Sequence, residues 1–174
     1  MSDKPKIYLD AAPIIDLVKF KVGVGIDPER ERDAWYLQQL LKAARAEAID
    51  IFTSTLTLAE CTHVEDRAKL EQAKPLFLQL LTSGRGGIKL VQPILAIVED
   101  ARNLRWSHGI SLKGMDSIHA ATALKFRCDE FLHRDGKISD SGAALHTLGM
   151  RVCAPSDTKL LPDDYRQELL PIRD

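Results

Sequence analysis

The chain has 174 residues, 45% hydrophobic and 28% charged, a length and balance that normally fold as one soluble domain. Lys plus Arg number 24 against 25 for Asp plus Glu, so the net charge of -1 sets up no global field. That excludes a simple DNA-coating role and leaves only a local basic patch for any nucleic acid.

The first elements follow at once from the pattern. Ile7-Tyr8-Leu9 reads as a short strand and is followed directly by Asp10. Ala11-Ala12-Pro13 then opens a helix with Ile14, Ile15, Leu17 and Val18 on its apolar face, and Pro13 suits a first helical position. After a Gly-rich loop, Glu29 to Ala48 reads as a long charged helix with a stripe of Trp35, Leu37, Leu40 and Leu41. Ile49 to Ser54 is the next strand, β-branched and aromatic in its middle.

Thr55 to Cys61 predicts a short helix carrying Glu60, and Asp66 to Leu81 another, stopped by Ser83-Gly84-Arg85-Gly86-Gly87. Ile88 to Gln92 is a strand closed by Pro93, and Ile94 to Trp106 is helical. Gly114 then breaks the chain before an Ala-rich helix with Met115, Ile118, Ala121 and Leu124 at helical spacing and Asp116 in its first turn. Glu130 to Arg134 is a strand leading into Asp135. Ser141 to Leu148 predicts a small helix, Arg151 to Ala154 a last strand, and Pro162 to Leu170 a turn or two of helix.

Strands alternating with helices predict a three-layer α/β/α sandwich with a mostly parallel sheet. With no repeat or linker, the chain is expected to be one domain, its core about residues 7–155 and its tail 156–174. No run approaches the roughly 20 apolar residues needed to cross a bilayer, and the N-terminus lacks a signal-peptide core. Cys61, Cys128 and Cys153 are far apart, without a C-x-x-C pair. They indicate neither zinc nor a disulfide framework, and a reduced, cytoplasmic setting fits.

In a parallel α/β sheet, ligands gather beyond the carboxyl ends of the strands. Asp10 and Asp135 each follow a strand, Glu60 lies on the helix after the second strand, and Asp116 begins a helix whose N-terminus belongs on the same edge. Each acid has a plainer use: Asp10 as a helix cap, Glu60 in a Thr57-Leu58-Ala59-Glu60 capping box, Asp116 facing a helix dipole, Asp135-Gly136 as a turn. Their joint placement favours a different reading. Crowded carboxylates stay ionised only when a cation compensates, and oxygen ligands suit Mg²⁺ or Mn²⁺. Such a site hydrolyses phosphodiesters by activating a water and offsetting charge on the phosphate.

Ile7-Tyr8-Leu9-Asp10 with Pro13-Ile14-Ile15, then Leu58-Ala59-Glu60, then Met115 to Leu124, then Phe131 to Asp135 resembles the PIN-domain family, and within it the VapC-type toxin ribonucleases. The likeness runs from Ile7 to about Pro155, and the Asp116 motif is its most specific piece. It implies that Asp10, Glu60, Asp116 and Asp135 coordinate Mg²⁺ or Mn²⁺ and cleave single-stranded RNA. It also implies an antitoxin partner and a homodimer, for which the stripe between Glu29 and Ala48 is a candidate surface, the same stripe reading equally as core. The chain departs from the pattern at His133, where the family usually has Thr or Ser, and at Ala11-Ala12, where it often has a small polar residue.

A catalytically silent PIN-like module that binds RNA or protein is the second reading, motivated by Ala11-Ala12 and His133. A flap-cleaving DNA nuclease is a third, for which the chain is short. His133 reads either as a phosphate or proton contact or as a solvent-facing strand end. Asp140 reads as a solvated turn acid or an extra ligand, and His63 as a surface residue. Arg102, Arg105, Lys113, Arg134 and Lys137 approach the acidic rim as candidate contacts to an RNA backbone.

Overall fold

The computed structural model describes residues 4–62 and 64–166. Five strands form one sheet: β1 (Lys6–Leu9), β2 (Asp50–Ser54), β3 (Ile88–Val91), β4 (Glu130–Leu132) and β5 (Arg151–Cys153). Their order is β3-β2-β1-β4-β5, and every neighbouring pair is parallel. The chain therefore steps outward from β1 in one direction and later returns to build β4 and β5 on its other side. Beyond the carboxyl end of β1 the connections diverge, which opens a crevice at that edge.

Among the described residues eight helices cover the sheet: α1 (Ala11–Lys21), α2 (Pro28–Arg45), α3 (Thr57–Glu60), α4 (Arg67–Leu81), α5 (Leu95–His108), α6 (Gly114–Lys125), α7 (Gly136–Asp140) and α8 (Gly142–Thr147). Alternation along the strands divides the interior in two. Ile7 and Leu9 of β1 and Leu132 of β4 pack with α1, α2 and α4. Tyr8 and Phe131 point the other way, into a cluster with α5, α6, Ile138 and Leu145. Two cores on the two faces of a parallel sheet make a three-layer α/β/α sandwich.

Local chemistry explains the helix starts. The Asp27 carboxylate accepts the Arg30 N–H at 2.9 Å, Pro28 follows it, and Glu29 and Glu31 face the positive end of α2. Asp66 accepts the N–H groups of Ala68 and Lys69 at 2.8 and 3.2 Å and so opens α4. At the end of α4, Gly86 lies so close to the Leu80 carbonyl that a Cβ would meet its oxygen at 2.1 Å. No larger residue fits that turn without moving the backbone.

Several boundaries differ from the sequence expectation. Pro13 is the third residue of α1, not the first. Of the two readings of the stripe of Trp35, Leu37, Leu40 and Leu41, the core one holds: all four are buried within the chain and offer no free dimer surface. Asp135-Gly136 is not a plain turn: the Asp135 carboxylate accepts the Lys137 N–H at 2.6 Å and starts α7 ahead of α8. Residues 156–166, the described part of the expected tail, pack against the core. Glu130, 3% exposed, receives Arg151 at 2.7 Å, the Lys159 N–H at 3.1 Å and the Thr158 hydroxyl, and Leu161 is buried in the core. Of the helix expected over Pro162 to Leu170, the described part holds a 3₁₀ turn at Asp163–Tyr165; residues 167–170, like His63, lie outside the described residues.

The three cysteines are free and buried. Among the described residues no helix is long and apolar enough to cross a membrane.

Candidate metal centre

Asp10 is fixed by the sheet itself. Its N–H donates to the Leu132 carbonyl at 3.0 Å, continuing the β1–β4 ladder one step past Leu9 and Leu132. Its side chain makes no cap to α1 and is left for the crevice. Burial raises its carboxyl above the usual range; His119 and the Ala11 N–H oppose that, while the charges of Glu60 and Asp116 add to it.

Glu60 is the last residue of α3, and the turn before it is pinned from inside. Thr53 donates its hydroxyl to the Leu9 carbonyl at 2.7 Å and lies 2.8 Å from the Thr57 hydroxyl, which must then donate to it. The Thr57–Glu60 capping box does not form, because α3 starts at Thr57 with Leu56 before it and the Thr57 hydroxyl is used in this buried pair.

Asp116 lies in the first turn of α6. Its carboxyl is raised by burial and by Asp135 and Glu60, against the lowering influence of His119 and Lys137. Asp135 is solvent-exposed, couples to Asp116 and caps α7. The structure therefore brings Asp10, Glu60 and Asp116 within one another's fields and Asp135 beside Asp116, although Asp135 also serves a structural cap.

The residue that sequence reasoning passed over is His119, whose side chain is buried. Its Nε2 lies 2.9 Å from Glu60 Oε2 and its Nδ1 2.7 Å from the Tyr8 hydroxyl. A ligand atom from each of Asp10, Glu60 and His119 falls within 4.8 Å of the others. The available signal was its position one helical turn after Asp116. Tyr8 is fully buried, and burial followed by the Asp10 charge pushes its phenol upward, so it keeps its proton.

His133 does not face solvent. It is 3% exposed, packs on Phe131 with ring centroids 5.9 Å apart, and accepts the Asp135 N–H at Nδ1. Burial lowers its pKa, which keeps the ring neutral and able to accept. Asp140 is an exposed residue ending α7. Arg134 is turned away from solvent into a pair with Asp33 and a looser one with Glu29 at 3.8 Å, so it is not free to hold a phosphate backbone. Arg102 stacks 4.6 Å over Trp106, and Arg105 and Lys113 are exposed. Of the five basic residues, Lys137 is among the leading influences on Asp116.

The PIN-domain family model matches residues 7–143, more than half the chain and every candidate acid. The chain belongs to the PIN-domain family. Neither a curated protein sequence nor a solved structure matches it. PIN domains are typically metal-dependent nucleases. The donors of this PIN domain suit such use: carboxylates that burial and mutual repulsion hold above their ordinary range gain most from a hard cation, and oxygen ligands fit Mg²⁺ or Mn²⁺.

Proposed function

We propose that this PIN domain is an endoribonuclease that uses Mg²⁺ or Mn²⁺ to cut single-stranded RNA, acting in the cytoplasm as the toxin of a type II toxin–antitoxin pair. The observation that supports the nuclease reading is that Asp10, Glu60 and Asp116, from three distant parts of the chain, feel one another's charge at the carboxyl edge of a parallel sheet. These three would hold the cation. When bound, it would make a water more acidic and offset charge gathering on the phosphate.

The protein groups have separate tasks. Asp135, exposed beside Asp116, would complete the cage or orient the attacking water in the mouth of the crevice. Lys137, next to it, is placed to meet a phosphate oxygen. His133 keeps the Asp135 backbone in place through its N–H. The antitoxin and the homodimer rest on the VapC resemblance, and a dimer would use surfaces other than the buried stripe of α2.

Cleavage of defined single-stranded RNAs with Mn²⁺, beside structured DNA flaps and the Asp116→Asn protein, tests the reading. RNA cleavage lost in the variant supports it. Cutting of flaps alone points to the DNA enzyme, and tight RNA binding without cutting to a silent module.

A further inference from the structure

Three donor atoms within 4.8 Å invite a mixed site in which His119 joins Asp10 and Glu60 as a ligand. Hydrogen-bond chemistry argues otherwise. An ionised carboxylate has only acceptors, so an imidazole nitrogen 2.9 Å from Glu60 Oε2 must carry a proton there. The other ring nitrogen, 2.7 Å from the Tyr8 hydroxyl, is engaged there, accepting the phenol proton in the neutral ring and donating to the phenol oxygen in the charged one. A protonated Nε2 has no lone pair to give a metal.

The chain Tyr8–His119–Glu60 also joins the elements that carry the acids. Tyr8 stands two residues before Asp10 on β1, His119 three after Asp116 on α6, and Glu60 ends α3. Tyr8 and His119 are both fully enclosed, with ring centroids 5.8 Å apart, so the link is sterically confined. Resting on the reading of the acids as a metal centre, we propose that His119 is a positioning residue that sets the Glu60 carboxylate and holds β1, α3 and α6 in register, and that it does not itself ligate the cation.

The experiment is calorimetric titration of the full chain with Mn²⁺, paired with pulsed electron paramagnetic resonance of the bound Mn²⁺. Wild type, His119→Gln, His119→Asn and Tyr8→Phe are compared, each checked for a cooperative thermal melt. The Gln amide nitrogen reaches the place of Nε2 and keeps the donor to Glu60; Asn reaches only the place of Nδ1. Wild type is expected to show no directly bonded ¹⁴N coupling. His119→Gln is expected to bind Mn²⁺ nearly as wild type, His119→Asn about 10–100-fold more weakly, the range for lost outer-shell partners. Tyr8→Phe should fall between them.

A strong ¹⁴N coupling in wild type that vanishes in His119→Gln would make His119 a ligand and overturn the proposal. Wild-type affinity in a folded His119→Asn would overturn it too. The wild-type spectrum decides between ligand and positioning residue even where a variant does not fold. Wild type binding no Mn²⁺ removes the metal centre itself, a different failure from either of these.

Discussion

Arg134 and Asp33, 101 positions apart in sequence, form a largely enclosed ion pair that ties the end of β4 to α2. Asp33 is 1% exposed and accepts the Ser156 N–H at 3.0 Å with its other oxygen. One carboxylate thus holds the helical layer, the chain beside Asp135 and the turn after β5. Asp33→Ala leaves a mostly enclosed guanidinium with Glu29 at 3.8 Å and the more distant charge of Asp16, and removing one partner of such a pair costs about 3–5 kcal/mol. Urea denaturation of the two proteins measures this; a loss under about 1 kcal/mol, the level of an exposed pair, would refute it.

Asp116→Asn should keep the fold, because the side chain is only half-buried and Asn is close to Asp in shape. Divalent-dependent RNA cleavage should fall by at least about 10²-fold, as expected when a charged group essential to the chemistry is neutralised. Matched circular dichroism and cleavage rates check both halves, and undiminished cleavage would remove the acid from the mechanism.

The same variant tests the electrostatics without any substrate. A carboxyl raised in the folded chain holds its proton where the unfolded chain has already lost it, so the folded state binds more protons. Stability therefore falls as pH rises from the unfolded carboxylate range, about 4, through the raised folded values of Asp10 and Asp116. Metal-free Asp116→Asn should consequently melt higher than wild type at pH 7, by a few degrees, and the gap should close below about pH 4. Added Mn²⁺ should raise the wild-type melting temperature and reverse the order, since ligand binding stabilises only the chain that retains the site. A gap independent of pH would show that these carboxyls do not repel.

The two buried threonines below Glu60 should differ. Thr53→Val deprives the Leu9 carbonyl and the Thr57 hydroxyl of a partner together, at about 1–3 kcal/mol. Thr57→Val leaves the Thr53 donor satisfied on Leu9 and should cost only about 1 kcal/mol. Thermal melts of both rank them, and equal or inverted losses would contradict the donor assignment.

The location of the acids, though not their role, was legible in the sequence because a parallel sheet puts every strand's carboxyl end on one edge, so an Asp directly after Leu9 or shortly after Leu132 has little choice of location. Helix starts were legible where a cap is local, as at Asp27 and Asp66. What escaped depends on contacts the chain makes across large separations: His119 meets Tyr8 at a distance of 111 residues and Glu60 at 59. A histidine among alanines carries no mark of such partners. The stripe of α2 showed which residues are apolar but not what covers them, and α1 with the sheet does. Glu130 looked like an ordinary strand residue, and only the returning segment at Thr158 and Lys159 explains its burial.

Cys61, Cys128 and Cys153 are each enclosed, and burial pushes each thiol up to about 12. A sulfur that is both hidden and protonated reacts with disulfide reagents only when its neighbourhood opens. The native chain thus carries three internal clocks at separate addresses. Cys61 adjoins Glu60, so its labelling rate times the opening of the short helix beneath the carboxylate crevice, while Cys128 and Cys153 time the opening of the sheet behind it.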